Sequence, residues 1–163
     1  MSSVSNPYGS RTTPPPAGLD PRGPRFGAAI TTVVLAAVLL TGSVWLLAAQ
    51  AAVFALGAFA GPGAQPYGVV FRRLVRPRLG PPAHLEDPRP PRFAQAVGLG
   101  FALAGLAGYA AGTAALGGVA VALALAAAFL NAAFGFCLGC EVYLFGKRVL
   151  ARGAAEPRLA VAD

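Results

Sequence analysis

From Phe26 to Phe71 the chain carries no charged side chain, and from Phe93 it carries none until Glu141. Runs of this kind restrict the fold more than any motif, because a helix needs about 20 apolar residues to cross a hydrocarbon core roughly 30 Å thick. The first run has room for two passes and the second for another two, so the spacing predicts four transmembrane helices. Composition agrees with this. With 56% hydrophobic and 12% charged residues, and a mean hydropathy of +0.62, too few polar side chains remain to clothe a soluble domain. The expected fold is all-α, a polytopic membrane protein in contact with the lipid bilayer.

The net charge of +7 on 163 residues would suit a nucleic-acid binder if the basic residues were interleaved with aromatics on a soluble face. They are placed otherwise. Arg11, Arg22 and Arg25 precede the first run, Arg72, Arg73, Arg76, Arg78, Arg89 and Arg92 separate the two, and Lys147, Arg148, Arg152 and Arg158 follow the second. The turns expected around Ala48 to Gln50 and Gly112 to Gly117 have none. This asymmetry predicts a multi-pass protein of the inner (plasma) membrane with both termini and the central loop in the cytoplasm, and no nucleic-acid partner. The basic clusters then also attract anionic lipid. Residues 1–24 are rich in Pro, Ser and Gly and read as a disordered cytoplasmic tail, with a second tail at 151–163. The "AQA" of Ala49 to Ala51 resembles a signal-peptide cleavage site, but the apolar run before it is longer than a usual signal core.

"DPRGPRFGA" at Asp20 to Ala28 and "DPRPPRFAQ" at Asp87 to Gln95 agree at six of nine positions. Asp followed by Pro starts a helix and Arg marks the cytoplasmic face, so shared capping chemistry accounts for part of the match. Each copy, however, leads into an apolar helix, an uncharged turn, a second apolar helix and a basic exit, "FRRLV" at Phe71 to Val75 and "FGKRVL" at Phe145 to Leu150. The four helices of the transmembrane domain, 25–150, are therefore expected as two repeated helical hairpins, 26–75 and 93–150, joined by a cytoplasmic loop, 72–92. Because both start on the same side, they are parallel repeats about an axis along the membrane normal.

Levelling the basic exits sets "GFCLGC" at Gly135 to Cys140 against "GPGAQP" at Gly61 to Pro66. Pro62 and Pro66 cannot continue an ordinary helix, so the second helix is expected to break near the cytoplasmic leaflet, and the cysteine segment to lie beside a polar gap there. Gly100, Ala104, Gly108 and Gly112 recur every fourth residue as a packing stripe. Trp45, Tyr67 and Tyr143 read as interface anchors, and Gln95 and Asn131 as amides that bond between helices.

The segment "FGFCLGCE", Phe134 to Glu141, holds the chain's two cysteines and the one ionisable side chain inside the apolar spans. Cys137 and Cys140, three residues apart on a helix, have α-carbons roughly 5 Å apart, close enough for a disulfide if Gly135 and Gly139 let the backbone bend. Placed near the C-terminal end of a helix and next to Glu141, the pair would be poor at forming a thiolate, unless a break at Gly135 restarted the helix. Three readings stay open on the residues alone: a redox or sulfur-handling pair, small apolar filler, or metal ligands with Glu141 and the lone His84. Filler comes first among them. One Cys-x-x-Cys without a second ligand pair is a weak zinc signal, and no metal is assigned. Glu141 is either a functional acid or the partner of an arginine.

The same "FCLGCEVY" stretch, with "PRFAQ" at Pro91 to Gln95 and "AAFLNAAFGF" before the cysteines, resembles family 4395 of the domains of unknown function, small bacterial membrane proteins. The resemblance runs from Asp20 to about Arg148, and its most specific part is Gly-Phe-Cys-x-Gly-Cys, here Gly135, Phe136, Cys137, Gly139 and Cys140. It implies four membrane helices and no established activity. The Ala-, Gly- and Arg-rich composition resembles that of actinobacterial proteins. Genes for thioredoxin-like and sulfurtransferase proteins near those of the family imply thiol or sulfur chemistry by association.

With that association the expected role is a membrane thiol–disulfide or sulfur-relay partner of a soluble thioredoxin-like or sulfurtransferase protein. Cys137 and Cys140 are its candidate catalytic pair and Glu141 its proton shuttle. No organic cofactor is implied. A small transporter, which with four helices would work as a homo-oligomer, and a membrane scaffold for a soluble enzyme are the alternatives. No phosphate loop, Ser-His-Asp set, paired embedded carboxylates or nucleotide fingerprint is present.

Overall fold

The computed structural model describes residues 18–155. Among them the chain forms α1 (Arg22–Thr41), α2 (Val44–Phe59), α3 (Pro66–Val70), a π-helical turn (Phe71–Val75), α4 (Arg76–Leu79), α5 (Arg89–Ala110), α6 (Ala114–Phe134) and α7 (Leu138–Ala155). Most of both expected tails lies outside the described residues, and α1 opens at Arg22, inside the stretch expected to be tail. The expected all-helical architecture is the one adopted. Three helices, α1, α5 and α6, are long and apolar enough to cross a membrane. The equally apolar α2 has 16 residues, about 24 Å of helix.

The helix boundaries follow from the local sequence. Asp20 Oδ1 accepts the Arg22 N–H at 3.0 Å, and Asp87 Oδ1 accepts the Arg89 N–H at 2.9 Å, so the repeated Asp-Pro-Arg serves as the same helix start twice. Gly42 ends α1 at a φ of 65° that other residues avoid, and Ser43 at once starts α2 by accepting the Leu46 N–H. After α2 the chain turns at Gly61 and resumes as α3 at Pro66, the break expected from the two prolines.

The helices pair across the chain. α1 lies mainly on α6 and α2 on α5, while α5 and α6 meet each other. Leu35, Val38, Leu47, Phe54, Ala102 and Val121 form the buried centre. The small-residue stripe differs from expectation: Gly100 meets no neighbour within 4 Å, Ala104 is exposed and Gly112 is a turn residue. Of the expected stripe Gly108 makes a close contact, and the others fall at Gly98 and Gly105. A Cβ on Gly98 would meet the Phe54 ring at 2.8 Å, and one on Gly108 would meet Gly117 N at 2.6 Å. Lipid and protein neighbours are equally apolar, so hydropathy does not mark which glycine row faces inward.

Two anchors are also placed differently. Trp45, expected near the outer end of the first helix, opens α2 at the same turn. Tyr67 points inward and donates its hydroxyl to Gln50 Oε1 at 2.9 Å. Gln50 and Gln65 are 1% and 2% exposed, which makes this corner, between α2 and α3, the polar part of the interior.

Candidate functional site

Cys137 and Cys140 lie at the start of a helix. Gly135 ends α6 in the left-handed conformation, φ 70°, with its N–H bonded to Asn131 O at 3.0 Å. The chain then restarts as α7, for which Cys137 takes the capping position: its carbonyl accepts the Glu141 N–H at 3.0 Å and its Sγ faces the Cys140 N–H at 3.3 Å. This corrects the expected position at a helix C-terminus. The glycine reverses the dipole the sulfurs experience, and the N-terminal end with its free N–H groups favours a thiolate. The two sulfurs are joined as a disulfide, with α-carbons 5.2 Å apart.

Three contacts hold this turn. The Arg25 guanidinium crosses from α1 and donates to Ala132 O at 3.1 Å and Ala133 O at 2.9 Å, the last carbonyls of α6. Its charge lies beside the turn, since a Cβ on Gly135 would be 3.8 Å from Arg25 Nη1. Gly139 sits on α5 so closely that a Cβ there would come within 2.7 Å of Ala94. The Phe93 and Tyr143 rings pack at 5.7 Å, with Lys147 Nζ 5.9 Å from the Tyr143 ring centre. Arg25 is the functional neighbour that sequence reasoning missed; its place in the repeated Asp-Pro-Arg motif was the available signal.

Cys137 lines a cavity of about 410 Å³ between α1, α5, α6 and α7, whose walls also include Thr31, Phe101, Gln95 and Asn131. Glu141 is exposed in the first turn of α7, where an acid suits the helix dipole, and is not part of that wall. The break after α2 does not adjoin the cysteines as expected. Gly61 and Pro62 line a second cavity of about 570 Å³ with Asp20, Arg72, Arg76 and Arg92, and Gln65 packs toward Gly27 of α1. Here the Arg22 guanidinium bonds Asp20 and holds its carboxyl below the usual range against the opposing effect of burial. His84 pairs with Glu86 at 3.3 Å in the central loop. Among the described residues no group of three or more His, Cys, Asp or Glu converges as metal ligands.

Residues 19–148 match the family model described as a domain of unknown function, DUF4395. The chain belongs to this family. No curated protein and no solved structure matches the chain. The match includes the whole Cys137–Cys140 turn, both Asp-Pro-Arg helix starts and the break after α2.

Proposed function

We propose that this DUF4395 protein is a plasma-membrane thiol–disulfide exchanger working through Cys137 and Cys140, with its termini and central loop in the cytoplasm. The observation that carries the reading is the position of Cys137 at the N-terminal cap of α7, its sulfur against the Cys140 N–H. A cysteine there is the better leaving group and the better nucleophile of the pair. A partner's thiolate attacks Cys137 Sγ, forming a mixed disulfide and releasing Cys140 as a thiolate. The partner's second thiolate then attacks its own sulfur in that bond and frees Cys137. The partner leaves as a disulfide and this protein as a dithiol, and exposed Glu141 passes the proton that Cys140 takes up. The partner class is a soluble thioredoxin-like or sulfurtransferase protein.

The membrane frame of this reading is two hairpins related by a twofold axis along the membrane normal, with α2 as the short fourth span, continued by its break and α3. Three observations support it. Leu19 and Glu86, which the repeat makes equivalent, pair with each other. Arg25 bonds Ala132 and Ala133, while its counterpart Arg92 donates to Ala58 O at 3.2 Å and Phe59 O at 2.7 Å, the matching carbonyls of α2. Gly61 and Gly135, equivalent again, both have positive φ.

The test is an acid-quenched thiol count on the native protein, followed by trapping with Cys140→Ser. A mixed disulfide through Cys137 to a cytoplasmic protein is the expected result. Cysteines that stay oxidised under dithiothreitol, or that trap nothing, overturn the reading.

A further inference from the structure

We infer that the cavity beside Cys137 binds a membrane quinone, which accepts the electrons of the Cys137–Cys140 dithiol; this rests on the exchange reading above. At this cavity Cys137 meets the apolar interior, since Cys137, Leu138 and Gly139 form part of its wall. Its remaining wall is mostly aliphatic and aromatic, including Phe101 and Leu123, and no charged side chain among the described residues lines it. The ligand is therefore neutral and largely apolar.

Its rim opens sideways. Leu123 is 53% exposed and Val142 59%, both on helix faces that no other part of the described residues covers. In a bilayer those faces meet acyl chains, so a molecule dissolved in the lipid reaches the cavity without crossing water.

The polar groups on the wall separate a quinone from a lipid tail. Thr31, Gln95 and Asn131 line the cavity together. Under an acyl chain such groups stay unsatisfied, which is costly. A quinone offers two carbonyl acceptors and a quinol two hydroxyl donors, and amide and hydroxyl side chains bond both forms. A volume of about 410 Å³ holds a substituted ring with the first part of its tail.

The reaction balances without another reagent. Two S–H bonds break, the Cys137–Cys140 S–S bond forms, and two electrons and two protons pass to the quinone oxygens to give the quinol. Dithiol supplied by the soluble partner restores the starting state, so each turnover oxidises one partner dithiol and reduces one quinone.

The test uses the full chain in lipid nanodiscs, reduced with dithiothreitol and desalted without oxygen, with a short-tailed ubiquinone analogue as the probe. The expected result is one quinone reduced per Cys137–Cys140 pair, abolished in Cys137→Ser. Gln95→Leu or Asn131→Leu should raise the KM for quinone about tenfold, the loss of one hydrogen bond. Because those variants can misfold, a second measurement uses the unaltered protein: excess quinol should slow maleimide labelling of reduced Cys137 at least fivefold. A wild-type protein that exchanges thiols with a small dithiol but neither reduces the quinone nor is protected by quinol overturns the quinone site and leaves the exchange reading standing. A protein inactive in both assays overturns both.

Discussion

Leu19 and Glu86 exchange both of their backbone hydrogen bonds, N–H to O at 2.9 Å in each direction. Each stands immediately before the Asp-Pro-Arg that starts a long helix, so the two helix starts are tied together at their bases. The guanidiniums that follow, Arg25 and Arg92, reach across to the last carbonyls of α6 and α2.

Removing either crossed clasp should weaken the bundle by a similar amount. Arg25→Ala leaves the last carbonyls of α6 without their donor and Arg92→Ala does the same to α2, so each should cost about 1–2 kcal/mol. Thermal unfolding in detergent measures both. A large effect at one site and none at the other would contradict the twofold arrangement.

Two glycines of α7 should respond in opposite directions. Gly139→Ala puts a methyl group 2.7 Å from Ala94 and should destabilise by about 1–3 kcal/mol. Gly146 meets nothing within 4 Å, so Gly146→Ala should gain helix propensity, about 0.5–1 kcal/mol. Paired denaturation curves decide, and equal effects would mean that α7 does not dock on α5.

The cysteines should differ in reactivity. Cys137 in the Cys140→Ser variant should react with iodoacetamide at neutral pH about tenfold faster than Cys140 in Cys137→Ser, because the helix terminus and the nearby Arg25 favour a thiolate at the first position. Equal rates would remove the physical basis for assigning the attacked sulfur.

Asp20 should make stability depend on pH in acid. Its carboxyl, 7% exposed and bonded to Arg22, is held below the ordinary value near 3.8. A depressed carboxylate contributes stability that is complete above its unfolded value and is lost as pH falls through the folded one. Melting temperature should therefore drop on acidification below about pH 4, and Asp20→Asn should flatten that slope. An unchanged slope would assign the acid sensitivity to other carboxylates.

Reporter fusions in the central loop, after Arg73, should be active only in the cytoplasm if the proposed topology holds, as the distribution of the basic residues predicts. External activity there would invert the topology and put the sulfurs on the opposite side.

What the sequence made legible is what lipid and protein treat differently. Charge-free length marked the apolar helices, and Asp20 and Asp87 marked two helix starts, because a polar side chain at a helix end has one strong use. Pro62 and Pro66 marked the break for a steric reason equally local. The face a helix turns inward was hidden, as Gly100 and Gly105 show, since an apolar neighbour can be lipid or protein. The end of a helix was only half legible: Gly135 offered a possible break, but it sits in an unbroken apolar run that does not decide whether its φ turns positive. That one conformation decided which end of a dipole the cysteines meet.

The crossed arginines also dictate an order of manufacture. As the ribosome delivers the chain, α2 emerges well before Arg92, the side chain that closes its last turn, and Arg25 waits longer still for Ala132 and Ala133. The N-terminal half therefore enters the bilayer with its clasps open and becomes a finished structure only when the C-terminal half arrives, so two fragments divided in the central loop should each insert alone and become protease-resistant only when made together.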